Sequence, residues 1–140
     1  MTERIDLLAL VAEEAARYEI VLEGQPVAVH GESRLLRRLV RNLLENAKRH
    51  GAPPVRAELR QAEGLAILDV IDEGNGIPDD ERERVFAPFH RLRGDSKGAG
   101  LGLALVRQIA RAHGGDAVVA PCPDAKVCFR VTLPNAGSVS

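Results

Sequence analysis

Asn42 and Asn46 stand four residues apart in the run Arg41-Asn-Leu-Leu-Glu-Asn-Ala-Lys-Arg-His50. Side chains at that spacing lie one above the other on a helix. At about 100° per residue, Glu45, Arg49 and His50 fall on the same side, beside the apolar face rather than opposite it. Two amides, a carboxylate, a guanidinium and an imidazole in one stripe are the donors and acceptors of a polar-ligand wall, for which a core helix has no use. Three further segments carry residues of the same interest: Asp72-Glu-Gly-Asn-Gly-Ile-Pro78, Phe86-Ala-Pro-Phe89 and Gly98-Ala-Gly-Leu-Gly-Leu103. Each alone has a structural explanation, as a turn, a pair of core rings and a helix entry. Their occurrence together, in this order and spacing, asks for another.

The elements that must position them can be read from periodicity. Residues 4–17 place Ile5, Leu8, Val11, Ala12 and Ala15 at helical spacing, with Glu13, Glu14 and Arg17 as the solvated side. Residues 18–22 and 27–30 predict two short strands around a turn at Glu23-Gly-Gln-Pro26, with His30 as a surface residue at a strand end. Ser33 is placed to cap the long helix that follows. Its core face is Leu35, Leu36, Leu39, Val40, Leu43, Leu44 and Ala47, and its solvent face is Arg34, Arg37, Arg41 and Lys48. Gly51 and Pro53-Pro54 end it. Residues 55–60 and 65–71 predict an antiparallel hairpin about Glu63-Gly64, with the second strand more buried. A short helical turn over 79–85, an aperiodic polar loop over 91–100 and an apolar helix over 101–113, stopped by Gly114-Gly115, come next. Strands over 117–120 and 126–133 close the fold, and the tail after Pro134 is expected to fray.

With 140 residues and 45% apolar content the chain makes one domain with one core. A net charge of −1 with the two signs interspersed argues against a nucleic-acid or membrane-surface protein. Cys122 and Cys128 stand in no C-x-x-C or Cys/His cluster, so a free reduced pair is expected rather than a metal or redox motif. No run approaches the roughly 18 to 20 apolar residues of a membrane span, and Met1-Thr-Glu-Arg4 does not read as a signal peptide. The expectation is a soluble cytoplasmic domain.

In the four segments taken together, the chain resembles the nucleotide-binding catalytic domain of bacterial sensor histidine kinases. That domain's ATPase superfamily also includes type II topoisomerase ATPase subunits, mismatch-repair ATPases and the ninety-kilodalton heat-shock chaperone. Asn42-Leu-Leu-Glu-Asn46-Ala matches the N box, Asp72 to Pro78 the first glycine box, Phe86 to Phe89 the F box and Gly98 to Leu103 the second glycine box. The likeness runs from the first helix to Leu133-Pro134. It implies an α+β fold, a two-layer sandwich of a mixed, mostly antiparallel sheet packed on three helices.

The resemblance also implies roles. Asp72 would accept a hydrogen bond from the exocyclic amine of adenine, and a ring with a carbonyl there would leave the carboxylate unpaired, so ATP is preferred to GTP. Gly74 and Gly76 would let the backbone lie close to the purine, with Ile77 beside them. Asn46, and after it Asn42, would offer amide oxygens to Mg²⁺. Arg49 and His50 would face phosphate, although family members usually carry Lys and an aromatic residue there, and a guanidinium fork is not a point charge. The amides of Gly98, Gly100, Leu101, Gly102 and Leu103, at a helix N-terminus, would meet phosphate oxygens. Phe89 would anchor the loop, and Arg91, Arg93 and Lys97 would reach toward the γ-phosphate. Asn46, Glu45 and Arg49 are the catalytic candidates, Glu45 by polarising a nucleophile.

A dinucleotide fingerprint fits poorly, since Leu103 stands where its third Gly would be, and no Walker loop is present. His30, His50, His90 and His113 lie outside any phosphoacceptor context. The expected partner is therefore a histidine-bearing dimerisation domain of a longer sensor, with an inner-membrane anchor compatible with the expectation and a response regulator reached through it. The excised domain itself is expected to be monomeric, without nucleic-acid or membrane contact. A stand-alone nucleotide-gated anti-sigma switch with serine kinase activity is the alternative on the same fold, and the F box and long N-box helix weigh against it.

Overall fold

Three α-helices lie against one face of a five-stranded sheet in the computed structural model, which describes residues 2–88, 102–121 and 126–137. The elements run β1 (Glu3–Asp6), α1 (Leu7–Arg17), β2 (Val21–Gly24), β3 (Ala28–Gly31), α2 (Ser33–His50), β4 (Arg56–Ala62) and β5 (Leu65–Asp72). Two 3-10 turns follow at Asp79–Glu81 and Arg84–Phe86, and then α3 (Gly102–Ala112), β6 (Asp116–Ala120) and β7 (Val127–Pro134). The main sheet has the order β2-β4-β5-β7-β6, antiparallel except for β2 against β4, and β1 and β3 form a separate antiparallel pair. This is the expected two-layer sandwich.

The period-2 alternation of the strands decides which residues meet the helices. Ala57, Leu59, Ala66, Leu68, Val70, Phe129, Val131 and Leu133 point into the core, where Leu36, Leu39, Val40, Leu43, Leu44 and Ala47 of α2 meet them. Asp72 continues the inward series of β5 and reaches the helix layer at the sheet's end. The β4–β5 turn uses Glu63 and Gly64, both at positive φ, as the Glu-Gly pair suggested.

Several expectations are corrected. Residues 3–6 are strand rather than helix, because they pair with β3; the helix begins only at Leu7, where the Asp6 carboxylate accepts the Ala9 amide at 3.1 Å. The two strands read at 18–22 and 27–30 do not form a pair but join different sheets. Ser33 is the first residue of α2 rather than its cap; Glu32 takes the cap position without a side-chain capping hydrogen bond, and its amide donates to His113 Nε2 at 3.2 Å. Glu14 is buried rather than solvated, and Arg37 and Arg41 are turned onto it. Residues 135–136 are pinned, not frayed: the Asn135 amide donates to Gly64 O at 2.9 Å and that of Ala136 to Ala28 O at 2.7 Å. Among the described residues no helix is long and apolar enough to cross a membrane. Cys128 is buried, while Cys122 lies outside the described residues.

Candidate functional site

The last residue of β5 and the end of α2 are stitched together by the backbone between them. Ala52, just past α2, donates its amide to Asp72 Oδ1 at 3.3 Å and accepts the Glu73 amide at 2.9 Å. Gly74 donates to the same oxygen at 2.8 Å. Oδ1 is thus committed, whereas Oδ2 has no hydrogen-bond partner among the described residues. No cation among the described residues pairs with this carboxylate. Burial raises its pKa above the usual 3.8, against the two amide hydrogen bonds and with a small contribution from Glu73. A buried, fixed acceptor of this kind is able to take a hydrogen bond from an N–H donor through its second oxygen.

Three glycines shape the surroundings. A Cβ at Gly51 would lie 2.5 Å from Asp72 Cγ and 2.6 Å from Ala47 O, so the helix stop read there also makes room for the carboxylate. Gly51 has extended φ and ψ, and it is space rather than handedness that demands it. A Cβ at Gly74 would meet Asp72 Oδ1 at 2.8 Å and Val127 at 3.3 Å. Gly76 has φ 82°, which L side chains rarely adopt. Ile77 then turns into the core and is buried.

Along α2 the stripe divides. Asn42 and Asn46 are half-buried, and Arg49 and His50 are exposed in the last turn, where Lys48, Arg49 and His50 complement the helix dipole. Among the described residues Asn42, Asn46 and Arg49 make no side-chain hydrogen bond or ion pair, so their polar groups are available. On the opposite flank, Arg37 Nη1 and Arg41 Nε donate to Glu14 at 2.8 and 3.0 Å, and Tyr18 Oη donates to Glu45 Oε2 at 2.9 Å. Glu45 therefore sits on the α1 side, held by a phenol. The described residues contain no group of three His, Cys, Asp or Glu able to hold a metal. A cation here would rest on neutral amides, water and ligand oxygens, a donor set that suits Mg²⁺.

Gly102 and Leu103 open α3, with Gly102 exposed and Leu103 packed on the core's edge. Phe86 is buried edge-on to Phe129, with ring centroids 6.2 Å apart. Phe89, Arg91, Arg93, Lys97, Gly98, Gly100 and Leu101 lie outside the described residues.

The structure adds residues that periodicity passed over. The Ala52 amide leaves no trace in sequence, because its role depends on the fold bringing 52 to 72. Tyr18 reads as the start of a strand. His113 carried no assigned role, but its Nδ1 bonds with Ile109 O at 2.8 Å and its Nε2 accepts from the Glu32 amide, so the ring ties the end of α3 to the start of α2. Gly31 leaves room for that ring, since a Cβ would lie 2.5 Å from its Cδ2.

Residues 31–137 match the family model described as histidine kinase-, DNA gyrase B-, and HSP90-like ATPase. The chain is 38% identical over 128 residues to the sensor protein CutS of Streptomyces coelicolor, a match covering 86% of this chain and 31% of that protein. It thus spans about a third of the length of that relative. Among solved structures, a mycobacterial sensor histidine kinase, MprB, superposes with a TM-score of 0.83 at 31% identity, covering 96% of this chain and 98% of that one. The ATP binding domain of PrrB from Mycobacterium tuberculosis gives 0.76 at 28% identity, covering 97% and 98%.

Proposed function

The chain belongs to the histidine kinase-, DNA gyrase B- and HSP90-like ATPase family, and from that premise we propose that it binds Mg-ATP and donates the γ-phosphoryl group to a histidine on a separate dimerisation domain. The observation that carries the nucleotide reading is Asp72, with Oδ1 held by two backbone amides and Oδ2 free. An adenine amine satisfies that oxygen. Guanine presents a carbonyl at the same place, two acceptors face each other, and a buried carboxylate loses its partner. The likeness to a solved ATP binding domain supports the same reading.

In this reading Asn46 and Asn42 take the metal, while Arg49 and His50 meet phosphate oxygens at the open end of α2. Mg²⁺, when bound, neutralises phosphate charge. The protein's part is to hold the adenine, keep the phosphates extended past α2 and admit the acceptor in line. The histidine nitrogen forms the new bond to phosphorus as the bond to the bridging oxygen of ADP breaks. Glu45, next to Asn46 in the chain but held by Tyr18 on the α1 side of the helix, is the residue read as orienting the incoming imidazole. The parent is read as a two-component sensor kinase that passes the phosphoryl group on to a response regulator.

Titration with ATP, with and without Mg²⁺, is the test. Saturable binding is expected, and Asn46→Ala should weaken Mg-ATP binding more than metal-free binding; equal losses would remove the metal role. Mixing with ATP and histidine-bearing helical hairpins should give an acid-labile, base-stable phosphate. Capture of a sigma factor with no such phosphate would favour the anti-sigma alternative.

A further inference from the structure

One side chain outside the motif residues joins three elements. Arg107, in the middle of α3, is only 11% exposed along its side chain. Its Nη1 and Nη2 donate to the two oxygens of Glu83 at 2.7 and 3.1 Å, and its Nε and Nη2 donate to Ala117 O at 3.0 and 2.7 Å. Its Nε lies 3.4 Å from Asp116 Oδ1, and its guanidinium stacks over the Phe86 ring at 4.2 Å. The fork thus grips the β6 backbone with one edge and the segment between the two 3-10 turns with the other, and its flat face covers the ring that packs on β7. That is more bonding than an α3–sheet contact needs.

The gripped segment leads back to the site. Arg82, next to Glu83, donates its Nε to Ile77 O at 3.4 Å and pairs with Asp79 at 3.2 Å, and the Glu81 amide donates to Pro78 O at 2.8 Å. Residues 77–86 therefore behave as one short brace, with Ile77 and the positive-φ Gly76 at one end and Arg107 at the other. Asp72 is fixed from the α2 side through Ala52, whereas the segment that follows it in the chain, from Ile77 to Phe86, is fixed from α3.

We propose that Arg107 is a positioning residue for nucleotide binding: by holding Glu83 and Phe86 it sets the distance of the Gly76–Ile77 wall from Asp72. It touches no ligand. The inference rests on the nucleotide reading above. Only the planar fork can serve Glu83 and Ala117 O at once; a Lys at this position keeps the charge over Phe86 but loses one of the two grips.

The test measures the Kd for ATP by titration well below the melting temperature, beside the melting temperature without nucleotide, for the wild type and three variants. Arg107→Met should raise Kd about tenfold, the equivalent of ~1.4 kcal/mol, and Arg107→Lys should stay nearer to it than to the wild type. Glu83→Gln is the decisive variant. Glu83 is 75% exposed, so losing its charge costs little stability, yet it should raise Kd about threefold with an almost unchanged melting temperature. Lower melting temperatures with wild-type Kd in the folded Arg107 variants and in Glu83→Gln would make Arg107 merely structural and overturn the proposal. Absence of saturable ATP binding by the wild type would remove the nucleotide reading and this inference with it.

Discussion

Glu14 and Asp72 are withdrawn from water almost equally, at 1% and 2% exposure, and are treated in opposite ways. Glu14, on α1, takes hydrogen bonds from Arg37 and Arg41 and lies 3.9 Å from Arg17. Its burial alone would raise its pKa, but the bonds from Arg41 and Arg37 and the charges of Arg41 and Arg17 together hold it below the ordinary 4.5. Asp72 has backbone amides and, among the described residues, no cation, and its burial wins. One carboxylate has its charge satisfied within the fold; the other keeps a lone pair for something outside it. The same division runs along α2, whose α1 flank is paired while Asn42, Asn46 and Arg49 on the other flank are left open. A helix gripped on one side can present free polar groups on the other without rolling.

Asp72→Asn should break the comparison most sharply. The amide oxygen can still accept from Ala52 and Gly74, but the NH₂ now meets the adenine amine, donor against donor. ATP affinity should fall roughly 10- to 100-fold, the range of a lost hydrogen bond to a charged group. The nucleotide-free variant should nevertheless be no less stable at neutral pH. Because the folded-state pKa of Asp72 is raised, its contribution is full below about 3.8 and is lost as pH rises through the folded value. Replacing it by an uncharged amide removes that loss. Unchanged ATP affinity in a calorimetric titration would refute the reading.

Glu14→Ala comes next and has the reverse signature, a loss of stability with nucleotide affinity little changed in the folded protein. Removing one member of a buried ion pair costs roughly 3–5 kcal/mol; here about 2–3 kcal/mol is expected, because Arg37 and Arg41 are 38% and 39% exposed and can rehydrate. The pH sign is opposite as well. With its folded-state pKa lowered, Glu14 stabilises above 4.5, and its contribution disappears as pH falls through the folded value, so wild type and Glu14→Gln should converge on acidification. Urea unfolding at a series of pH values checks both directions; a gap that widens toward acid would be wrong for this pairing.

Tyr18→Phe should have the smallest effect and sharpen the division of α2. Losing the 2.9 Å bond to an exposed Glu45 should cost about 0.5–1 kcal/mol of stability. If Glu45 orients the acceptor histidine, phosphotransfer should slow while the Kd for ATP holds. Equal rates with equal Kd would leave Tyr18 a tether only.

Much of this was legible before any coordinates. The buried strand that ends at Asp72, the Glu63-Gly64 turn and the Gly114-Gly115 stop follow from local rules, and the two-layer sandwich with a mostly antiparallel sheet is the expected one. The misreadings share a cause. Residues 3–6 contain one apolar residue, Ile5, which fits a helix or a strand equally, and only pairing with 28–31 decides. Glu13, Glu14, Arg37 and Arg41 have the pattern of two solvated faces, and nothing in one helix says that another will lie against it. Arg107 drew no attention in the sequence, since its partners Glu83 and Ala117 lie on other elements.

Sequence by itself determined the chemical inventory: the spaced asparagines of α2, the carboxylate at the end of a buried strand, the glycines that follow it, and a family likeness strong enough to name their ligand class. These are properties of residue type and separation along one element, where periodicity is set by the backbone alone. The tertiary structure decided which of these buried carboxylates is paired with cations and which is held by backbone amides. That depends on which cations arrive from 23 to 27 residues away, and on the Ala52 amide reaching Asp72 from 20 residues off. Contacts at those separations are fixed only when the layers pack, so the charges in the sequence could be counted but their partners could not.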